Sequence, residues 1–334
     1  MATWTLGKDL CYESSVASGG NIDLNLANIE IAASLIDPVF RNTPQFVDDQ
    51  LCQVLGRRVV VKVETANPIR NFKGRGADFL MRSIGKQQKI VCASAGNFGQ
   101  AMAYAGRTRG MDVEVFAALD VNPVKADRMR SLGATVTLAG ADFESAKQEA
   151  RACAEKHGYL FIEDGREAAI AEGAGTIGVE LLKFRNLDAI VVPVGDGALI
   201  TGIAAWVRQQ SPATKIIGVC AKGAPAMVES WRAGTSISST TIDTIADGIA
   251  VRAPIPISVE RVRNLVNEML MVDDSEMLEA MRLAASTLGL LLEPAGAAGI
   301  AAIRTCAIPG DQIATILTGS NIHPDLIPRC FPTA

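Results

Sequence analysis

The sequence predicts an α/β fold built on parallel sheets, because short β-rich segments alternate with longer helical patterns along most of the chain. The β-rich segments are continuous runs of Val, Ile and other apolar residues without polar alternation, which is typical of parallel strands buried on both faces by helices. With 334 residues, 49% of them hydrophobic, the chain is long enough for two lobes. In chain order, the predicted strands are residues 59–63, 89–94, 113–118, 134–139, 189–194, 215–220 and 313–318.

Composition excludes several classes of protein. A formal net charge of -4 and the absence of a long basic run argue against nucleic acid or a membrane surface as a partner. The seven cysteines are scattered and form no CxxC pair, so neither a disulfide framework nor a zinc site is predicted. The N-terminus has no apolar core of signal-peptide type. These features together predict a cytoplasmic protein.

Histidine chemistry is also limited, since the chain contains only His157 and His323. A histidine-rich metal site or a Ser-His-Asp triad is hard to build from two histidines. His157 is predicted to end a helix, where a partial positive charge is favourable.

Lys73 is the candidate amine nucleophile, in the segment NFKGRGADF (71–79). A lysine amine can attack an aldehyde only when it is deprotonated and held in a partly desolvated cleft, and the adjacent glycines allow close approach of the backbone. Ligands of parallel α/β sheets bind at the carboxyl ends of the strands. Four Gly-rich segments follow predicted strands or open helices, namely SAGNFGQ (94–100), PVGDGALITG (193–202), EPAGAAG (293–299) and LTGSN (317–321).

PVGDGALITG follows a predicted buried strand and opens a predicted helix, an arrangement in which backbone N–H groups hold a phosphate. A nucleotide-binding Rossmann turn is the competing interpretation, but no convincing ribose-binding acid follows the segment.

These segments, with RNTPQF (41–46), GAGTIGVEL (173–181), GAPAM (223–227) and TIADGIAV (244–251), resemble in order and spacing the pyridoxal-phosphate enzymes of the tryptophan-synthase β-like superfamily, or fold type II. The resemblance is to the threonine/serine dehydratase and serine racemase branch and runs nearly end to end. It implies a two-lobed fold, each lobe an open, mostly parallel twisted sheet flanked by helices, with the cofactor in the cleft. It also implies a small inserted domain at 85–160, a large domain formed by 1–84 and 161–334, and a homodimer.

The resemblance implies pyridoxal 5'-phosphate as the cofactor. Lys73 would carry it as a Schiff base and then act as acid and base at the substrate Cα. The other cofactor-binding residues implied are Phe72, Asn97, Gly195, Asp196, Gly197, Ala198, Leu199, Glu293 and Thr318. The glycines, Ala198 and Leu199 would act through backbone N–H groups, whereas Asp196 departs from the run of glycines usual in the relatives. Thr318 would face the pyridine nitrogen, and a neutral partner there favours β-elimination over transamination.

SAGNFGQ resembles the loop that binds the substrate carboxylate, which implies Ser94, Ala95, Gly96, Asn97 and Phe98 as substrate-binding residues and Ser94 as a catalytic residue. Serine racemases have a second serine at the position of Ala95, so its absence here favours elimination over racemisation. Phe98 replaces a histidine common in dehydratases and makes that wall more apolar.

Divalent-cation dependence is not expected. Relatives with such a site have acidic side chains at the positions of Cys220 and Ala226 and a backbone carbonyl at that of Ala224, and hard cations need oxygen ligands. No metal site is therefore predicted.

The sequence thus predicts a dehydratase, or ammonia-lyase, that converts a β-hydroxy L-amino acid of the threonine/serine type to a 2-oxo acid and ammonium. Three alternatives stay open: the same chemistry on a bulkier aromatic substrate such as phenylserine, a β-replacement enzyme, and a cofactor-binding protein without catalysis.

Overall fold

The computed structural model describes residues 22–330, which form two sheets flanked by helices. The strands are β1 Gln45–Val47, β2 Arg58–Val63, β3 Ile90–Ala93, β4 Val113–Ala117, β5 Thr135–Leu138, β6 Leu160–Ile162, β7 Ala189–Pro193, β8 Lys215–Ala221, β9 Glu268–Val272 and β10 Gln312–Leu317. The helices are α1 Leu26–Leu35, α2 Asp49–Leu55, α3 Gly74–Met81, α4 Asn97–Arg109, α5 Pro123–Ser131, α6 Phe143–His157, α7 Ala168–Leu181, α8 Ala198–Gln210, α9 Ala226–Ala233, α10 Pro256–Leu265, α11 Asp274–Leu288, α12 Pro294–Thr305 and α13 Leu326–Cys330.

The larger sheet has six strands in the order β1-β2-β10-β7-β8-β9, and the smaller has four in the order β5-β4-β3-β6. All neighbouring strands are parallel except β1, which pairs antiparallel with β2 at the edge of the larger sheet. The predicted α/β architecture is confirmed. It brings the carboxyl ends of the parallel strands, where ligands bind in such sheets, to one edge of each sheet.

Every predicted strand is present, and no strand end is shifted by more than one residue. The prediction that these strands are buried on both faces is wrong for β5, whose residues are exposed or half-buried because it lies at the edge of the smaller sheet. Sequence patterns also missed β1, β6 and β9. The first two have three residues each, and β9 reads EMLMV, in which only valine is β-branched.

The proposed domain division stays a prediction. The smaller sheet and its connecting helices lie between Ile90 and Ile162, and the larger sheet takes its strands from both sides of that stretch. Strand β6 runs across the predicted boundary at residue 160.

Two predictions fall partly outside the described residues. The prediction that no disulfide forms includes Cys11, which lies outside that range; the six described cysteines are free thiols. The prediction of a cytoplasmic location used the N-terminal segment, which also lies outside it. No helix within residues 22–330 combines the length and the apolar character that crossing a bilayer requires.

A buried ion cluster joins β2, α3 and α7. Arg75, on the first turn of α3, is fully buried; its guanidinium donates to both oxygens of Glu64 and both oxygens of Glu180 at 2.8 to 3.0 Å. Lys62 donates to Glu180 at 2.5 Å and to the carbonyl of Thr43 at 2.7 Å. Two cations thus balance two carboxylates in a solvent-excluded space, the condition under which buried charges are tolerated.

The pKa values of the cluster reflect this balance. Burial alone would lower the pKa of Arg75, but Glu64 and Glu180 raise it. Burial alone would raise the pKa of Glu180, but Arg75 and Lys62 lower it to about 2. The pairing of opposite charges therefore offsets the cost of burying the guanidinium of Arg75 and the carboxylate of Glu180.

Helices α3 and α7 approach closely because glycines lie at their contact. A Cβ on Gly76 would lie 2.5 Å from the carbonyl oxygen of Ile170, and one on Gly173 would lie 2.6 Å from that of Arg75. This contact and the ion cluster fix the start of α3, and therefore Lys73, against the larger sheet.

We expect Arg75→Met to lower the free energy of unfolding by about 3 to 5 kcal/mol, because it leaves two buried carboxylates with one cation. Urea denaturation monitored by circular dichroism measures the change. Arg130→Met is the matched control, because Arg130 forms an exposed ion pair with Asp127 and its loss should cost less than about 1 kcal/mol. Equal effects of the two substitutions would mean that the cluster does not stabilise the fold.

The pKa of Glu180 also predicts how stability depends on pH. Because this pKa is about 2 in the folded protein against an ordinary value of 4.5, its ionised form stabilises the fold above pH 4.5, and that contribution is lost as the pH falls towards 2. The stability difference between the wild type and Glu180→Gln should therefore shrink by on the order of 3 kcal/mol across that range, at about 1.4 kcal/mol per pKa unit.

Urea denaturation at several pH values between 5 and 2.5 measures that difference. The same substitution at the exposed Glu155 should change the free energy of unfolding by less than about 0.5 kcal/mol. A wild-type advantage over Glu180→Gln that stays constant with pH would contradict the assignment.

Candidate active site

Two adjoining cavities open where the parallel strands end. The inner cavity is lined by every residue predicted to bind the cofactor: Phe72, Lys73, Asn97, Gly195, Asp196, Gly197, Ala198, Leu199, Glu293 and Thr318. The outer cavity, of about 470 Å³, is lined by Lys73 and by every residue predicted to bind the substrate: Ser94, Ala95, Gly96, Asn97 and Phe98. The structure therefore brings all the predicted site residues together, and Lys73 lies where the cavities meet.

Lys73 immediately precedes α3, and the loop before it is tied to the end of β10. The side-chain oxygen of Asn71 accepts the backbone N–H of Lys73 at 3.0 Å, and the carbonyl of Thr318 accepts that of Phe72 at 3.0 Å. Asn71 is fully buried and also forms a β-bridge with Gly319. The amine thus projects from a backbone held on both sides, as a positioned nucleophile requires.

The Lys73 amine is surrounded by acids and aromatic rings. Its Nζ forms an ion pair with Asp164 and lies 5.3 Å from the ring centroid of Phe72 and 5.9 Å from that of Phe98. Burial alone would lower the pKa of Lys73, but Asp164, Asp196 and Glu293 raise it above its ordinary value. These three carboxylates therefore favour the ammonium form of Lys73.

Asp196 stands in the predicted phosphate loop, but it packs towards the loop after β6. A Cβ added at Gly165 would lie 2.8 Å from the Cβ of Asp196, so these two segments of the chain are in contact. Burial, with the charge of Asp164, raises the pKa of Asp196 to about 7. Asp196 can therefore be neutral near physiological pH, which reduces its repulsion of a phosphate.

The N-terminus of α8 is suited to bind an anion. No side chain caps this helix, whose N-cap is Gly197 with a φ of +90°, a conformation that glycine adopts readily. Its first residues line the inner cavity. Unpaired N–H groups and the helix dipole at such a terminus favour a phosphate, so the segment Gly195–Leu199 fits the predicted role.

The loop after β3 is organised by Ser94. The Oγ of Ser94 accepts the backbone N–H groups of Gly96 and Gly99 at 3.0 and 2.8 Å, and the side chain is almost fully buried. Ser94 thus accepts one backbone N–H of the first turn of α4, whose N-cap residue is Gly96. Its hydroxyl proton stays available to donate to a ligand at the outer cavity.

Asn97, Glu293 and Asn321 form a hydrogen-bonded chain along the inner cavity. The Asn97 amide donates to Glu293 Oε1 at 2.6 Å, and its oxygen accepts from Asn321 at 2.7 Å. Glu293 Oε2 is buried and has no hydrogen-bond partner within the described residues, and burial raises the pKa of Glu293. A ligand that donates to Glu293 Oε2 would satisfy this buried oxygen.

The residues around the inner cavity fit pyridoxal 5'-phosphate. A buried amine, an uncapped helix N-terminus and the unsatisfied oxygen of Glu293 line one space. They match the aldehyde, the phosphate and the polar groups of the ring. Thr318 is almost fully buried and lines the inner cavity. It carries the hydroxyl predicted to face the ring nitrogen.

No acidic side chain occupies the three positions at which some relatives have a divalent-cation site, namely Cys220, Ala224 and Ala226. Cys220 is buried and its thiol donates to the carbonyl of Val194 at 3.5 Å. Within residues 22–330, no group of three or more His, Cys, Asp or Glu side chains could hold a metal ion. The lack of a metal requirement stays a prediction.

Sequence reasoning missed Asp164, Lys125, Asp247 and Asn321. The buried Lys125 on α5 forms an ion pair with Asp247, whose side chain is half exposed, and packs against Gly96, whose added Cβ would lie 2.7 Å from the lysine Cδ. Asp164 follows β6, so the rule that ligands bind at strand ends would have indicated it had that short strand been recognised. Asp247 lies within TIADGIAV, a motif used only for its order, and Asn321 lies within LTGSN, from which only Thr318 was assigned a role.

Comparison with known proteins places the chain in a family. The family described as "Pyridoxal-phosphate dependent enzyme" matches residues 36–319. The L-threonine ammonia-lyase of Thermotoga maritima is 30% identical over 311 residues, which cover 92% of this chain and 78% of that protein. The chain is therefore similar in sequence along most of its length to an enzyme of this family.

Two solved structures are also similar to this chain along most of its length. The processed form of threonine deaminase isoform 2 from Solanum lycopersicum matches with a TM-score of 0.84 and 28% identity, over 95% of this chain and 98% of that one. Maize serine racemase matches with a TM-score of 0.85 and 25% identity, over 92% and 96%.

The cofactor is pyridoxal 5'-phosphate, and both the fold and the residues of the inner cavity agree with it. The chain belongs to the pyridoxal-phosphate dependent enzymes of fold type II, in the branch of the threonine/serine dehydratases and serine racemases.

Proposed function

We propose that this protein is a pyridoxal-phosphate dependent ammonia-lyase that eliminates water from a β-hydroxy L-amino acid of the serine/threonine type; the resulting enamine becomes its imine and takes up one water, giving a 2-oxo acid and ammonium. The observation that carries the proposal is the convergence of Lys73, the Ser94 loop and the N-terminus of α8 on two adjoining cavities. The similarity to an L-threonine ammonia-lyase supports the same reaction.

When bound, pyridoxal 5'-phosphate supplies an electron sink for the bonds to the substrate Cα. The N–H groups of Gly195–Leu199 hold its phosphate, and Glu293 and Thr318 hold its ring. Asn97 approaches from the Ser94 loop. Together these residues would hold the bound cofactor beside the outer cavity, where the substrate would lie.

The Ser94 loop orients the substrate, because it begins α4 and presents backbone N–H groups and the Ser94 hydroxyl to the outer cavity. A carboxylate bound there would leave Cα facing Lys73. Lys73, once neutral, takes the α-proton as a general base, and loss of the β-hydroxyl as water follows. Ala95 offers no second acid on the opposite face, which favours elimination over racemisation.

A bulkier aromatic substrate such as phenylserine is a second candidate, supported by one observation. Phe98 is nearly buried, lines the outer cavity and lies 5.9 Å from the Lys73 amine, so a substrate ring could contact its ring. Asp164 and Asp196 line the same cavity and count against an apolar side chain, since their desolvation would cost free energy.

We also propose a homodimer and a cytoplasmic location. The dimer rests on the resemblance to the branch. The cytoplasmic location is supported by the six free cysteines of the described residues, since unpaired thiols are typical of reducing compartments.

Replacing Lys73 with Ala should lower turnover by more than about a thousandfold without unfolding the protein, because the variant has neither the amine that binds the cofactor nor the general base. Lys73→Arg should fail equally, since a guanidinium cannot be deprotonated. Turnover is measured as 2-oxo acid release, and folding by circular dichroism. Lys86→Ala removes an exposed lysine as the control, and wild-type rates in Lys73→Ala would contradict the mechanism.

The reaction is tested on purified protein loaded with pyridoxal 5'-phosphate, to which L-serine, L-threonine and L-threo-phenylserine are added in turn. We expect visible absorbance from the bound cofactor and one ammonium for each 2-oxo acid from L-serine or L-threonine. Product from phenylserine alone would favour the aromatic alternative. Absorbance changes without 2-oxo acid would favour β-replacement, and a spectrum unchanged by every amino acid would favour a binding protein.

A further inference from the structure

We propose that Asp196 makes binding of the cofactor phosphate depend on a proton, so that the site takes up the phosphate together with one proton held on the Asp196 carboxyl. The inference concerns how the cofactor is bound, and it holds for whichever amino acid the enzyme converts. It follows from the position of this carboxyl, from the charged groups around it and from the charge of the phosphate.

Asp196 lies in the segment that is predicted to hold the phosphate. It comes directly before Gly197, the N-cap residue of α8, and it lines the inner cavity. The segment is closely packed on both sides: a Cβ at Gly195 would lie 2.9 Å from the carbonyl oxygen of Gly248, and one at Gly197 would lie 2.5 Å from the Oγ of Ser258. Ser258 also donates to the backbone carbonyl of Asp196. The backbone therefore keeps Asp196 beside the N–H groups that would hold the phosphate.

The charged groups around the Asp196 carboxyl leave it without a cation of its own. Asp164 and Glu163 act on it from the loop after β6, Lys73 from the start of α3 and Lys147 from α6. Lys73 forms an ion pair with Asp164, and the Nζ of Lys147 lies 3.5 Å from Glu163. Within residues 22–330 the Asp196 carboxyl itself takes part in no ion pair and no hydrogen bond.

The charge of Asp196 changes near neutral pH. Burial and the charge of Asp164 raise the pKa of Asp196 to about 7, although Lys73 and Lys147 lower it. A phosphate monoester is a dianion above a pH of about 6, and a like charge beside a carboxyl favours the uncharged form of that carboxyl. A bound phosphate therefore raises the pKa of Asp196 further. The uncharged carboxyl can also donate a hydrogen bond, which the carboxylate cannot.

The direction of the pH dependence follows from these two pKa values. Below about pH 7 the carboxyl already carries its proton in the free site, so its protonation does not change when the phosphate binds. Above pH 7 the free carboxyl is ionised, and binding must either take up a proton or place two anions together. The affinity for the phosphate should therefore fall as the pH rises above 7, by up to about tenfold for each pH unit.

The test compares pyridoxal 5'-phosphate with pyridoxal, which has the same ring and aldehyde but no phosphate. The dissociation constant of each ligand is measured on the full chain freed of cofactor, from visible absorbance at several pH values between 6.5 and 8.5. The titration of Lys73 affects both ligands, because both react with the same amine, and it cancels in the ratio of the two constants. The phosphate stays largely a dianion over this range, so the ratio reports on the protein.

We expect the preference of the wild type for the phosphorylated ligand to fall by about tenfold between pH 7 and pH 8.5. Asp196→Asn is uncharged at every pH and keeps nearly the same shape, so its preference should change by less than about threefold over that range. At pH 8.5 the preference of this variant should exceed that of the wild type by about tenfold, a gain that loss of a structural contact would not produce. Asp127→Asn removes an exposed carboxylate and should behave as the wild type.

Two results would overturn the inference. One is a wild-type preference that does not change between pH 7 and pH 8.5, a comparison that needs no variant. The other is a preference that falls equally in the wild type and in Asp196→Asn, which would assign the pH dependence to another group. Protein that shows the expected pH dependence but releases no 2-oxo acid from any of the three amino acids would support the inference and contradict the proposed function.

Discussion

The buried ion cluster around Arg75 is the constraint on which the site depends. It ties the first turn of α3 to β2 and α7 in a space closed to solvent, and Lys73 lies two residues before Arg75. Ion pairs of this kind add little net stability over apolar packing, but breaking one is costly. The cluster therefore acts as a positional lock, which holds the reactive amine at the mouth of the inner cavity.

The second constraint is the group of carboxylates that surrounds the Lys73 amine. Asp164, Asp196 and Glu293 raise the pKa of the lysine, whereas a general base at Cα must be neutral. One feature of the site reduces this conflict. The pKa of Asp196 is raised to about 7, so this carboxyl can take up a proton near neutral pH and then no longer favours the ammonium form of Lys73.

Much of the architecture could be predicted from the sequence, because uninterrupted Val and Ile runs such as β2 and β7 leave few alternatives to buried parallel strands. The residues that line the cavities could also be predicted, since their motifs follow those strands in a recognisable order. Strands of three residues, such as β1 and β6, are too short for their hydrophobic pattern to be recognised in the sequence. Because β6 could not be predicted, Asp164, which follows it, could not be predicted as a site residue either.

The ion cluster could not be predicted from the sequence, for a different reason. Glu180 lies 105 residues from Arg75, in a stretch that predicts another feature, and only the packing of α3 on α7 brings the two together. The edge position of β5 is likewise a property of the sheet and not of its own residues. Charge pairing across elements needs the tertiary structure, whereas apolar periodicity does not.

The most direct test of the central claim, that Lys73 is the amine that holds the cofactor, is to treat the cofactor-loaded protein with borohydride and map the modified peptide by mass spectrometry. Reduction makes the link between the cofactor and its amine permanent. We predict one cofactor mass per chain, on the peptide that contains Lys73. The same mass on Lys125, a buried lysine that lines the outer cavity, or no stable mass at all, would contradict the account.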